Sequence, residues 1–224
     1  MYKIKIGAVS VDGLYFPEVE DMFAKCIKLT KEGKADFVIE RNFGNMRYCN
    51  FNAHNRTLYS SEHWWENFEP DFDYFFSTDN DTGMEPKYIF DMVEIAKKYN
   101  NLCLVSAAYP GRWEESKNNV TAGFFDRKTG FNNQLTIKEF LETPKDKFPL
   151  HVEIVGGGAV LIPRETIKAL PAPLWHHVYY KCEGNKYYNM HEDQSLCWEC
   201  MQKKISVLLA RIPAYHRGVV IPIK

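Results

Sequence analysis

Through the first half of the chain, two hydrophobic periodicities alternate, and this alternation constrains the fold more than any other feature. "KIKIGAVSV" (3–11) reads as a strand. Behind Pro17, residues Val19, Met22, Phe23, Cys26 and Ile27 recur at helical spacing until Gly33. "DFVIE" (36–40) is a second strand, and "NRTLYSSEHWWENF" (55–68) predicts a helix with Leu58, Trp65 and Phe68 on its inner face. "FDYFFST" (72–78) is continuously apolar, as a strand covered on both faces must be. Pro86 then opens a helix carrying Ile89, Met92, Val93 and Ala96, and "LCLVSAAY" (102–109) is a fourth strand. The order βαβαβαβ predicts an α/β fold: a mostly parallel twisted sheet with helices on both faces.

The second half is less regular. Residues 111–149 are polar, rich in Gly, Asn and Lys, and carry aromatics at Trp113, Phe124 and Phe125 that read as exposed. A connection this long is usually functional or mobile. "LHVEIVGGGAVLI" (150–162) predicts a strand interrupted by three glycines, followed by a short helix in "PRETIKAL". "EDQSLCWECMQKK" (192–204) is a helix and "ISVLLARIP" (205–213) the last strand, with Tyr215, His216, Arg217 and Gly218 at its end. The expectation is a single domain over 1–224, with 111–149 as an insertion or lid.

Composition narrows the function. A formal net charge of −1 gives no overall basic field for nucleic acid, although Arg112, Trp113, Lys117, Arg127 and Lys128 could form a local basic, stacking groove. Six scattered cysteines in a chain of 224 residues are not needed as staples, which predicts a reduced, cytoplasmic protein. No apolar run approaches the roughly 20 residues of a membrane helix.

The chemistry begins at "FFSTDNDTG" (75–83), where the third strand runs into Asp79 and Asp81. Ligands of open α/β sheets bind at the carboxyl ends of the strands. Mg²⁺ or Mn²⁺ prefer oxygen ligands and share them with substrate phosphates. The competing reading is an Asp-Asn-Asp turn with a local side-chain cap. Further on, Asp193 shares a helical face with Leu196, Cys197 and Cys200, so it points inward. Glu192 beside it suits a helix amino end. His216, taken alone, reads as a surface histidine in a glycine-containing loop.

Taken in order, these stretches resemble a glycosyltransferase of the GT-A (Rossmann-like) fold, close to the large inverting family two and its phage and bacterial relatives. "AHNRTLYSSEHW" resembles the Arg/Asn-bearing helix before the metal strand, with the pair here in the order Asn55-Arg56. "YFFSTDND" resembles the strand ending in Asp-x-Asp, and "VEIVGGGAVLIPRETIKAL" the Val-Gly-x-Gly strand with its short helix. "HEDQSLCWECMQKK" resembles the helix carrying the catalytic base, and "ARIPAYHRG" the closing strand with its metal-binding His. The resemblance covers roughly 1–110 and 150–218. It implies a metal-dependent, inverting transfer of a hexosyl or pentosyl group from a nucleotide-sugar, UDP being the family's commonest carrier, to an acceptor hydroxyl.

The resemblance also implies roles. Asp81 would bind Mn²⁺ or Mg²⁺, Asp79 would reach the ribose or the metal's water, and His216 would complete the metal shell. Asp193 would be the general base, and Glu192 would orient neighbours or bind the acceptor. The glycines at 156–158, Gly157 and Gly158 above all, would leave room for sugar against the backbone. Ala8, Val9 and Ser10, up to Val11, would border the nucleobase, with Asn55 and Arg56 on the donor. The acceptor would be a glycan, a protein or a modified DNA base.

Three rivals follow from the same residues. Cys182, His191, Cys197 and Cys200 could form a zinc module, but Cys197 and Cys200 sit within an apolar helical face, which favours core cysteines. A sugar-nucleotide-forming nucleotidyltransferase would want a basic glycine-rich loop after the first strand, and "AVSVDGLYFPE" has neither Lys nor Arg. A non-catalytic nucleotide-sugar-binding protein is the third.

Overall fold

The structure is a computed structural model that describes residues 1–10, 13–43, 50–59, 68–112, 114–129, 132–183 and 187–223, without the side chains of 43, 50–53 and 132. The first half folds as β1 (Lys3–Ser10), α1 (Pro17–Lys31), β2 (Asp36–Phe43), α2 (Asn50–Tyr59), β3 (Tyr74–Asp79), β4 (Thr82–Gly83), α3 (Pro86–Lys98) and β5 (Cys103–Ala108). Next come β6 (Asn119–Phe125), β7 (Asn132–Thr136), α4 (Ile137–Glu142), β8 (Leu150–Val152), β9 (Ile154–Val155), β10 (Ala159–Pro163) and α5 (Arg164–Ala169). The chain finishes with β11 (Tyr179–Lys181), β12 (Tyr187–Asn189), α6 (Glu192–Gln202), β13 (Ser206–Pro213), β14 (Tyr215–His216) and β15 (Val219–Val220).

Among the described residues the central sheet has seven strands in the order β2-β1-β3-β10-β5-β13-β8. It is mixed, with the expected parallel strands at its core and antiparallel strands set among them. β1 runs parallel to β2 and β3, and β5 parallel to β13, but β10 is antiparallel to both β3 and β5, and β8 antiparallel to β13. The cause lies in 150–162, which is three strands rather than one. β8 pairs with β13, β9 leaves for a small sheet with β6, and only after Gly156–Gly158 does β10 insert between β3 and β5.

Side chains on alternate strand positions fill two cores. Ile4, Ile6, Ala8 and Phe76 pack with Val19, Met22, Phe23 and Cys26 of α1 and Ile89, Met92, Val93 and Ala96 of α3. On the other face Phe75, Leu104, Val160 and Leu209 pack with Leu58 of α2, Phe140 of α4, Ile167 of α5, and Leu196, Cys197 and Cys200 of α6. Helices therefore cover both faces of the sheet. Ile27, expected on the buried stripe of α1, is 47% exposed, because the stripe is narrow and 27 lies at its edge. Helix α2 starts earlier than the predicted 55–68. Leu58 is buried on it, Phe68 packs from beyond its end, and Trp65 lies outside the described residues.

Segment 111–149 is largely built. β6 and β7 pair antiparallel, and α4 opens on a capping box in which Thr136 Oγ1 accepts from Glu139 N at 3.1 Å. Phe124 is exposed as expected, but Phe125 is buried against Tyr180 and Trp198; Trp113 lies outside the described residues. Three cations of this segment pair with separate carboxylates, Arg112 with Asp81, Lys117 with Glu114 and Arg127 with Glu153. No helix among the described residues is long and apolar enough to cross a membrane.

Candidate active site

The site grows from the end of β3. After Asp79 the chain turns through Asn80 and Asp81 into β4. The Thr78 hydroxyl donates to the Thr82 carbonyl across the turn, and Asn80 Nδ2 donates to Leu14 O at 2.9 Å, fastening the turn to the β1–α1 loop. β4 then pairs antiparallel with β14, with His216 opposite Thr82. This two-residue ladder carries His216 to Asp81, although 135 positions of sequence separate them.

Asp81 is almost wholly buried, its side chain 2% exposed. Oδ2 accepts from Arg112 Nη2 at 2.9 Å and Arg217 Nε at 3.0 Å, while His216 Nε2 lies 3.6 Å from Oδ1. Burial alone would raise its pKa. The hydrogen bonds from His216 and Arg217 and the charge of Arg112 outweigh that and hold the carboxyl well below the usual range. The imidazole is oriented from behind, with Nδ1 2.8 Å from the Pro110 carbonyl oxygen and Tyr109 edge-on at 5.5 Å between ring centres. In the charged ring Nε2 points an N–H toward Asp81; in the neutral ring with the proton on Nδ1 it presents a lone pair there instead.

The Asp79 side chain is 35% exposed. Its pKa is raised by burial first; His54 opposes this, and the charges of Asp81 and Glu192 add to it. His54, on α2, is 2% exposed and stands with Nε2 3.9 Å from Asp79 Oδ1 and Nδ1 3.4 Å from Ser77 Oγ, stacked on Trp175 at 5.2 Å.

The glycine run separates the two acidic centres. A Cβ on Gly158 would meet Thr82 Oγ1 at 2.7 Å and Asp79 Oδ2 at 3.2 Å, whereas one on Gly157 would lie 3.7 Å from Asp193 Cβ. Gly158 N donates to the Tyr109 hydroxyl at 2.9 Å, so a buried tyrosine at the end of β5 pins the run. Burial, with Asp79 and Asp193 nearby, pushes that phenol far up.

Asp193 and Glu192 form the first turn of α6. Asp193 Oδ1 accepts from Gln194 N at 2.7 Å. Burial, helped by Glu192 and Asp79, raises the Asp193 carboxyl far above its ordinary range, against that hydrogen bond. It faces a recess of about 70 Å³ whose other walls include Thr121, Ala122 and Gly123 of β6, Gln134 of β7 and Gly156.

The remaining sequence-predicted residues are placed as follows. Ala8, Val9 and Ser10 are buried at the end of β1, Val9 in register with Asp79; Ser10 Oγ donates to Leu14 O and accepts from Gly13 N, both at 2.9 Å. Val11 lies outside the described residues. Asn55 is buried, and both ends of its amide are engaged: Nδ2 donates to Trp175 O at 2.6 Å and Oδ1 accepts from Trp175 N at 3.1 Å. Arg56 is exposed. Cys197 and Cys200 are in the core, and no group of three or more His, Cys, Asp or Glu among the described residues is gathered as a metal centre.

Sequence reasoning gave no role to His54, Tyr109 or Arg217. Tyr109 and Arg217 follow strand ends, the region where ligands of such sheets bind, and that position is the signal that could have marked them.

Neither a family profile nor a curated protein sequence matches this chain. Solved structures do. A197 from STIV is 14% identical with a TM-score of 0.51, over 96% of this chain and 85% of that one. GalNAc-T7, crystallised with UDP, GalNAc and Mn²⁺, is 12% identical with a TM-score of 0.51, over 94% of this chain and 42% of that one. This chain has a GT-A-like fold. At these identities the likeness is one of fold alone, and the chain matches less than half the length of GalNAc-T7.

Two donors of the kind a divalent cation takes face each other here, although no third His, Cys, Asp or Glu among the described residues joins them. Asp81 Oδ1 and His216 Nε2 face each other at 3.6 Å, the imidazole is held from behind, and the Gly158 backbone packs so closely on Thr82 and Asp79 that a Cβ there would collide with the Thr82 hydroxyl.

Proposed function

We propose that this chain is a metal-dependent glycosyltransferase that moves a sugar from a nucleotide-sugar, UDP-linked, to an acceptor hydroxyl with inversion. The observation that carries the reading is the pair of acidic centres on either side of Gly157–Gly158: Asp79 and Asp81 with His216 on one side, Asp193 with Glu192 on the other. The GT-A-like fold supports it, as does a neighbour of that fold crystallised with UDP, GalNAc and Mn²⁺.

Asp81 and His216 would hold Mn²⁺ or Mg²⁺, with Asp79 on its water or on the ribose. The cation supplies neutralisation of the diphosphate as it leaves. The end of β1 at Ala8–Ser10 would border the base. Gly157 would leave room beside Asp193 for the donor and acceptor sugars, and Gly158 lets the backbone lie close against Thr82 and Asp79. Asp193 takes the proton of the acceptor hydroxyl. Its carboxylate is stripped of water and crowded by acids, which raises its basicity toward that of a useful general base. With the recess beside Asp193 lined by β6 and β7, the 111–149 insertion would be the acceptor side.

The test is incubation with a panel of radiolabelled UDP-sugars and Mn²⁺, following release of UDP with and without candidate glycan, protein and modified-DNA acceptors. Metal-dependent release of UDP from at least one donor is expected. Release of pyrophosphate from a nucleoside triphosphate plus sugar phosphate would point to a nucleotidyltransferase instead. Tight UDP-sugar binding without turnover under any acceptor would point to a non-catalytic binder.

A further inference from the structure

Asp81 is oversubscribed. Two guanidinium groups, from Arg112 and Arg217, converge on its single oxygen Oδ2 at 2.9 and 3.0 Å, two positive charges on one carboxylate, with Asp79 the next acid in the field of Arg112. The carboxylate is buried, yet the arginine side chains are 37% and 51% exposed, so the surplus charge faces outward. The chain is strained to achieve this. Arg217 sits in the left-handed region at φ 50° with Gly218 at φ 75° behind it, and its backbone N donates to Asp81 O at 2.9 Å. A tight turn thus locks Arg217 onto the metal-side acid, while Arg112 reaches it from the opposite direction, just past β5.

A guanidinium is planar and forked, matched to phosphate oxygens as well as to carboxylate. We propose that Arg112 and Arg217 are a diphosphate clamp that Asp81 holds in store, so that the cation and the diphosphate bind by exchanging partners within the cluster of Asp81, Arg112 and Arg217. This rests on the nucleotide-sugar reading and adds residues and an order of events to it. A cation arriving alone must compete with two arginines for Asp81. A diphosphate arriving alone must draw the arginines off and leave a buried carboxylate uncompensated, which is costly. Arriving together, the cation takes Asp81 and the phosphates take the guanidinium groups, so neither charge is stranded. Binding of the two is then positively coupled, by about tenfold or more.

Calorimetry on the full chain tests this with two probes used separately: MnCl₂ without phosphate, and inorganic pyrophosphate in EDTA. Arg217→Gln should bind Mn²⁺ about 3–10-fold more tightly, because a competitor has gone, and pyrophosphate about 3–10-fold more weakly. Arg112→Gln should cross in the same way. A structural role for the arginines moves both affinities in the same direction or neither, and either result overturns the exchange. Both side chains are half-open, and a thermal melt of each variant reports that the fold is kept; should one variant unfold, the other decides. Turnover of a UDP-sugar by the native chain without the crossing sinks the exchange alone. Crossing without cleavage of any sugar donor sinks the glycosyltransferase reading alone.

Discussion

His216 turns Nε2 toward Asp81 Oδ1 at 3.6 Å while its Nδ1 is held 2.8 Å from the Pro110 carbonyl oxygen. The pair is assembled by the β4–β14 ladder, so it exists before any ligand arrives. His216→Ala should weaken UDP binding in Mn²⁺ by about 10–100-fold, the loss of one charge-assisted ligand contact. In EDTA the same variant should bind UDP as the native chain does. Calorimetry in the two buffers checks this, and equal losses in both would reduce His216 to a packing residue.

Gly158 and Gly157 make a matched pair of probes. An alanine at 158 would press on Thr82 Oγ1 at 2.7 Å and Asp79 Oδ2 at 3.2 Å, whereas an alanine at 157 meets only Asp193 Cβ at 3.7 Å, an ordinary contact. Gly158→Ala should therefore cost about 1–3 kcal/mol in urea denaturation, as overpacked sites do, and should impair UDP binding in Mn²⁺ by displacing Asp79. Gly157→Ala should leave both measurements close to native. If the two variants behave alike, the glycine run is a flexible turn rather than a fitted wall.

Asn55 clips the backbone of Trp175, on which His54 stacks. Asn55→Ala removes both hydrogen bonds and leaves a buried N–H and C=O unpaired, at a cost of about 2–4 kcal/mol. The expected signature is a lowered thermal midpoint with little change in UDP affinity at 15 °C. A loss of UDP affinity with native stability would instead put Asn55 on the donor.

The alternating fold was legible because β1, α1, β3, α3 and β5 bury stripes or runs that nothing but a covered sheet explains. What stayed hidden depended on long-range pairing. Nothing local in 150–162 announces that β8, β9 and β10 join different neighbours, because a strand's direction is chosen by its partners rather than by its own residues. The carboxylates at 79, 81 and 193 were visible as strand-end and helix-start acids. Arg217, His54 and Tyr109 were not, and Arg112 was read only as part of a basic groove, since their meaning comes from Asp81, Asp79 and Gly158, which lie far away in sequence. Phe125 shows the same limit, because its exposed-looking context is covered by Tyr180 and Trp198 from later elements.

Asp193 gives the sharpest pH test. Burial, Glu192 and Asp79 push its carboxyl from 3.8 up to about 7, against the opposing hydrogen bond from Gln194 N. A base must be ionised to take a proton, so kcat/KM should rise with pH and level off near that value. The same shift has a stability consequence of opposite sense. Between the unfolded value of 3.8 and the folded value of about 7, the folded chain holds a proton that the unfolded chain has lost. Stability from this group therefore falls as pH rises through that window, and above it the folded chain carries the full cost of a crowded, buried charge. Asp193→Asn removes that charge while keeping an oxygen for Gln194 N. At pH 8 the variant should be more stable than the native chain, by an amount of order 1 kcal/mol, and slower in transfer by about 10²–10⁴-fold. At pH 4 the stability difference should vanish. Thermal melts at the two pH values and single-turnover kinetics at pH 8 check the pair of outcomes. A variant that is both stabilised and fully active would remove Asp193 from the chemistry, and Glu192→Gln would be the next base to try.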